Sequence, residues 1–557
     1  MDDFKGHTTP ANLEAIEMDN PRCQPDEGQR DATRDRRDMG TDMDRQDMAR
    51  LGRTQEVKRR FQYFSMVGYM ILLAATWESG LISLVFSLGN GGTGGAIWMT
   101  FGSSFGMFVT CLSMAEMASI SPTAGGQVEL TSLGFRDSRL TLFFASTIGF
   151  QIRFAPPSVQ KPLSYAVGWL CTLGWQTAMP AISYTTALQI VALINTCNPE
   201  YQMHGWHAAL LTIAVEVFAI LFNIFAINKF QLIEGIVVII HVFGFLAIIV
   251  IFWVMGPRTP ANVTFLTFHD SYGWGSSGLA TLVSVVGPVA SLIGADAAVH
   301  LAEELKDAAK ILPRAMVTSA LINYATAMIM IITLVSGIGS TNNLDDLLSD
   351  PTGQPWVALV RRVTGSKAAT VTLIVLVAFQ FFFTAVNEVT TSSRQFWAFA
   401  RDKGVPFHPW LSKVSETDGI PRNAVFVTLT TTCLLAMIII GSTTAFNIIL
   451  SVCNVALVMT YIICIGTFTA KRCRREKLPP AQFPLGKLGI WINLASLCWL
   501  AFLAVFLFFP AAPNPTAASM NWAIVIFGGV VTFAFVWYFV RGRHEYMGPV
   551  EYIRKDI

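Results

Sequence analysis

The sequence predicts an all-α polytopic membrane protein of about 12 transmembrane helices. Two compositional facts carry this expectation: hydrophobic residues make up 53% of the 557-residue chain against 14% charged, and the mean hydropathy is +0.49. The third is a recurrence of apolar runs of about 20 residues, the length that crosses a hydrocarbon core of roughly 30 Å. One globular core needs far less apolar material. The 40 Phe and 14 Trp suit lipid-facing helices with interfacial aromatics, and a formal charge of +2 is too small to suggest nucleic acid as a partner. The 9 cysteines are scattered, with neither metal-site nor disulfide-framework spacing, and read as packing residues.

In chain order, residues 1–60 are charged and poor in aliphatic side chains, which predicts a disordered tail. The start "MDDFKGHTTP" lacks an apolar signal-peptide core, so the first span is expected to direct insertion. A membrane domain then fills 61–541, followed by a short tail, 542–557. Its spans are expected at 64–88, 95–120, 164–194, 208–227, 232–255, 279–301, 315–339, 368–398, 424–441, 446–469, 488–509 and 522–540. Alternate connections are basic ("FRDSR", "NKF", "EELKDAAKILPR", "KRCRREK"), whereas those between them carry few cations, apart from the loop with Arg361, Arg362 and Lys367. Lysine and arginine collect on the cytoplasmic side, so both termini are expected there. Asn262, in "NVT", then faces outward as a candidate glycosylation acceptor.

Within the first span, "ATWESGLISLVFSLGNGGTGG" places Glu78 close to mid-membrane, where a lipid-facing charge costs about 2–3 kcal/mol. It is expected to face a polar cavity or to be protonated. Ser79 and Gly80 weaken the helix beside it. The sixth span, "LATLVSVVGPVASLIGADAAVHLAEEL", carries Gly287-Pro288 and then Gly294, Asp296 and His300; the proline predicts an opening. Two interrupted spans, each beginning a run of five, are the pattern of an inverted-repeat transporter, with half-helix termini that hold a carboxylate on amides and an ammonium on carbonyls.

Four motifs carry a resemblance: "SMAEMASISPTAGGQ" (113–127), "FAPPSVQKPLSYAVGWLCTLGWQ" (154–176), "GADAAVHLAEELKDAAKILPRAM" (294–316) and "NEVTTSSRQFWAFARDKGVPFHPWL" (387–411). Together they resemble the fungal amino acid and choline permeases, of GABA permease and choline transporter type, in the amino acid/polyamine/organocation superfamily. The resemblance implies a leucine-transporter-like fold of a 5+5 inverted repeat plus two helices, and proton-driven uptake at the plasma membrane. It makes Trp77, Glu78, Ser79 and Gly80 candidates at the first unwound stretch, and Gly294, Ala295 and Asp296 at the second. Asn387, Glu388 and Thr391 share a side of the eighth span and could complete the polar cavity; Asn387 and Thr391 serve equally as interhelical hydrogen-bond glue. Residues 128–153 depart from the short link of the relatives, either as a real insertion or as an in-frame retained intron.

Glu78 is then either counter-ion to the substrate's amine or the proton carrier. Glu234 and His241, on one face of the fifth span, are further proton-coupling candidates, and equally buried structural polar residues. Glu116 is expected to fix a helix end, and "HLAEELKDAAKILPR" reads as a solvated helix, or as an inner gate. No nucleotide loop, metal spacing or nucleophile motif is present, so neither an enzyme nor a cofactor is expected. The expected partners are a small nitrogenous solute, protons and the lipid bilayer. A transport-inactive nutrient sensor and a metabolite exporter are the alternatives.

Overall fold

A computed structural model describes residues 40–41, 43–44, 59–120, 157–226, 229–340, 344–415, 420–441, 445–476, 478, 480–517 and 519–546. Residues 128–153 lie outside these, as do most of the first 60 and the final tail from 547 onward. The principal helices are α1 (Tyr63–Ala74), α2 (Thr76–Ile120), α3 (Pro157–Cys197), α4 (Gly205–Ala226), α5 (Phe230–Met255), α6 (Ser277–Val283) and α7 (Val286–Leu292). After a 3₁₀ segment, Ala297–Glu304, come α8 (Ala308–Ser336), α9 (Pro355–Thr364), α10 (Lys367–Arg401), α11 (Arg422–Gly441), α12 (Ala445–Cys473), α13 (Gly489–Phe506) and α14 (Ala523–Trp537). The only β-type pairing among the described residues is an isolated bridge between Phe61 and Leu305.

Among the described residues, eleven helical runs are long and apolar enough to cross a membrane. The first, Tyr63–Ile120, has 58 residues. At 1.5 Å per residue it is nearly three times as long as a roughly 30 Å core, so it holds two crossings. They meet at Gly92, which leaves helical geometry at φ 64°, ψ −160°. The expected 12 spans are therefore present, with the first two joined by a corner and no loop.

The first span breaks at Ala75, whose φ of 39° and ψ of 50° are left-handed. Its N–H still bonds the Ile71 carbonyl, and its own carbonyl accepts from Ser79, so a single residue re-aims the axis. A left-handed alanine persists only where its surroundings dictate it. Here Trp77 and Glu78, immediately after it, are both tied to His241 of α5.

In the sixth span the proline has a smaller effect than expected. Pro288 offers no N–H to the Ser284 carbonyl. That carbonyl accepts from Gly287 instead (3.3 Å), and the chain turns at Ser284–Val285, between α6 and α7. The helix opens fully one coil later, at Ile293–Asp296, where Gly294 takes φ 99°. A side chain disfavours that backbone conformation, so the glycine, more than the proline, makes the opening.

The two broken spans cross in close contact. A Cβ on Gly287 would stand 2.9 Å from the Ser83 carbonyl oxygen and 2.9 Å from Ser87 Oγ. The hydroxyls of Ser83 and Ser291 hydrogen-bond at 3.1 Å beside the crossing. Gly287→Ala should therefore cost about 1–3 kcal/mol by forcing the helices apart. Gly235→Ala, on α5 with nothing within 4 Å of its Cβ position, should be neutral or slightly stabilising. Thermal melting of the two variants in detergent checks the contrast.

The segment "HLAEEL" is not the solvated face that its charge spacing suggested. Glu303 and Glu304 are buried and pair with Arg401 (3.3 Å) and Arg394 (3.0 Å) on α10. The backbone here winds as 3₁₀, with three residues per turn, so the spacing that pairs charges along an α-helix does not apply. Glu116 does pin a helix end: it receives Arg472 of α12 at 2.6 Å on both oxygens and the Leu485 amide at 3.1 Å. Within the first 60 residues, Asp44 is buried. It pairs with Arg59 at 3.1 Å and accepts from the Asp307 amide at 3.0 Å, capping α8. Arg361, the exception to the charge asymmetry, is paired with Asp350 at 2.5 Å. Asn262 is exposed, in a short helix, Ala261–Leu266, whereas its Thr264 is buried.

Candidate functional site

A cavity of about 130 Å³ lies where the two breaks face one another. From the first break it receives Leu73, Ala74, Ser79 and Ser83, and from the second Ser291, Ile293 and Gly294. Spans three, eight and ten close it with Trp175, Glu388 and Asn454, among others. The walls are mostly apolar and include the rings of Phe86, Phe381 and Phe446, with a few polar groups converging between them. That composition suits a small amphipathic ligand. The first amides of α2 precede its first intrahelical acceptor and leave a dipole-positive terminus beside the first break, whereas at the second break the Ala297 and Val299 amides already bond the Gly294 and Asp296 carbonyls (3.0 and 2.9 Å).

Of the residues proposed from sequence, Ser79, Gly294 and Glu388 line this space. Trp77 and Glu78 turn away from it and are fully buried. Glu78 Oε1 meets His241 Nδ1 at 2.7 Å, and Trp77 Nε1 donates to His241 Nε2 at 3.1 Å. An indole N–H only donates, so Nε2 must be the acceptor, and Nδ1 carries the proton shared with Glu78. The other Glu78 oxygen is buried with no hydrogen-bond partner among the described groups. Glu78 also sits in the first turn of α2, where the helix dipole favours its anion. Gly80 faces α8, its Cβ position 3.7 Å from Ile331.

Asn387, Glu388 and Thr391 divide between two roles. Tyr69 of α1 donates to the Asn387 carbonyl (2.8 Å) and shares a 2.6 Å hydrogen bond with the Thr391 hydroxyl, tying the first half of span one to span eight. Glu388 alone of the three reaches the cavity wall. Glu234 is buried next to the Asn387 side chain, two turns before His241 on α5, so the two proton candidates of that span occupy separate stations. Ala295 is half-buried against the core, and Asp296 lies behind Trp175, whose Nε1 approaches Oδ2 at 3.3 Å, while Tyr461 donates to Oδ1 at 2.5 Å.

Sequence reasoning missed Ser83, Ser291, Trp175 and Asn454. Asn454 in "SVCNVALVMT" was the available signal, a lone amide within an apolar span; the serines gave none, since isolated serines are common in membrane helices.

Two discontinuous spans around a mid-membrane pocket, in a bundle of this connectivity, define a membrane transporter built on broken helices. The sequence model of the amino acid permease family matches residues 60–531, and the chain belongs to that family. It is 25% identical over 495 residues to a choline transporter of Saccharomyces cerevisiae, covering 88% of this chain and 83% of that one. Amino-acid permease 2 of Neurospora crassa is 25% identical over 508 residues, covering 90% and 88%. Among solved structures, a manganese transporter mutant of Eremococcus coleocola superposes with a TM-score of 0.50 at 13% identity, covering 86% of this chain and 94% of that one; this likeness concerns the fold alone.

Proposed function

We propose that this permease carries a small nitrogenous solute, an amino acid such as GABA or choline, into the cell with a coupled proton, across the plasma membrane and with both termini cytoplasmic. The buried Glu78–His241 pair is the observation that carries the reading. Trp77 occupies Nε2, so an additional proton goes to the free oxygen of Glu78. Loading brings the pair to net zero charge, and release leaves one buried negative charge at the end of a helix whose packing depends on it. That dependence is the coupling between the proton and the break in span one.

The substrate's cationic end is assigned to Glu388 and the aromatic wall, a combination that holds either a primary or a quaternary ammonium. A carboxylate, where the solute has one, is assigned to the first amides of α2 at the first break. Asn262 is proposed as an exposed glycan acceptor. Proteoliposomes with an imposed pH gradient test the mechanism: accumulation of labelled solute above its external level supports it, whereas binding without accumulation points to a nutrient sensor. Competition of labelled GABA uptake by choline, amino acids and polyamines in permease-deficient yeast ranks the substrates. Glu388→Gln should raise KM for a cationic solute by about tenfold or more, as expected for loss of a charge-assisted contact worth about 1.5–3 kcal/mol, with surface abundance unchanged.

A further inference from the structure

Behind the cavity, three donor groups of different chemistry converge. Cys171 comes from α3, and Asp296 and His300 from the chain that follows the break in span six. All three are buried, and their ligand atoms lie within 4.8 Å of one another. His300 Nε2 is 3.4 Å from Asp296 Oδ2 and 3.8 Å from Cys171 Sγ. We propose that Cys171, Asp296 and His300 form a transition-metal site that binds Zn²⁺.

The spacing fits that ion. Tetrahedral zinc with bonds of about 2.0–2.1 Å to nitrogen and oxygen and about 2.3 Å to sulfur separates an N,O ligand pair by roughly 3.4 Å and an N,S pair by roughly 3.6 Å. Two of the three separations, 3.4 Å and 3.8 Å, are thus already within tenths of an ångström of these values, and the third pair, Cys171 and Asp296, lies within 4.8 Å. Charge fits as well. One thiolate and one carboxylate neutralise a divalent cation, so the loaded site carries no net charge into a buried environment. A sulfur, nitrogen and oxygen set selects zinc over magnesium or calcium, which take oxygen ligands. Tyr461 holds the other carboxylate oxygen and fixes the orientation of Asp296, as outer-shell partners of metal ligands do. Three protein ligands leave a fourth position for water.

Zinc here would tie span three to the second half of span six across the element that opens at Gly294. Micromolar zinc is thus expected to hold the transporter in the present conformation. The site stands apart from the proton and solute assignments, so either can fail without the other.

The test is cobalt titration of the purified full-length protein, with Co²⁺ as the spectroscopic stand-in for zinc. Stoichiometric Co²⁺ should give a thiolate-to-metal charge-transfer band and the visible bands of a tetrahedral ion, both bleached by Zn²⁺. The band should vanish in Cys171→Ser and persist in Cys111→Ser, whose sulfur contacts the Met316 carbonyl elsewhere in the bundle. His300→Gln should weaken cobalt binding by at least about tenfold. Zinc should raise the Tm of the native protein and leave that of Cys171→Ser unchanged. Absence of a thiolate band in the native protein at stoichiometric cobalt overturns the proposal, and so does a band that survives Cys171→Ser.

Discussion

Replacing Glu78 by Gln should abolish concentrative uptake while the protein still reaches the cell surface and still exchanges labelled for unlabelled solute. The substitution is nearly isosteric, and the amide oxygen can accept from His241 Nδ1 as the carboxylate does, so the contact that positions the first break survives. What disappears is a group that can take up and release a proton. Under the proposed coupling, solute then flows only until the two sides are equal. Vesicles under an imposed pH gradient measure this, paired with counterflow on the same preparation. Normal accumulation by the variant would remove Glu78 from the coupling mechanism; loss of both accumulation and exchange would make it structural.

The largest effect on stability is expected at Arg394. Its Nε meets Glu304 Oε1 at 3.0 Å, and both side chains are more than nine-tenths removed from solvent. Arg394→Met leaves an unpaired carboxylate in a low-dielectric interior, which costs about 3–5 kcal/mol. The double variant Arg394→Met/Glu304→Gln removes both charges and should recover most of that loss. Thermal unfolding in detergent of the single and double variants provides the comparison. If the single variant melts with the native protein, the ion pair does not bear on the join between span eight and the segment after the second break.

The bundle was legible in the sequence because membrane insertion imposes long apolar runs that stand out against any background. The two interruptions were legible for a related reason: "TWESG" and "IGAD" put residues that form helices poorly, or that lipid rejects, at mid-span. Their details depended on tertiary contacts. Gly287-Pro288 looked like the opening of span six, yet proline mid-helix is accommodated by one re-routed hydrogen bond, and the opening went to Gly294. Glu78 and His241 were each singled out, but no spacing rule connects positions on different helices, so their pairing could be found only in three dimensions. The charges of "HLAEEL" misled for the same reason, since their partners Arg394 and Arg401 lie on a helix remote in sequence. Glu388 was noted as one of three neighbours, and only the rotation of α10 separates its role from those of Asn387 and Thr391.

Ala75 has a thermodynamic consequence for the working cycle. An L-residue with a side chain gives up about 1–2 kcal/mol in the left-handed region. That penalty exists only in conformations that keep this residue so twisted, and it vanishes in any state where it relaxes. Occupancy of the present state is therefore lowered by about five- to thirtyfold relative to a chain with glycine there. The twisted pivot thus weights the equilibrium against this conformation, opposing the contacts of Trp77 and Glu78 with His241 that hold it.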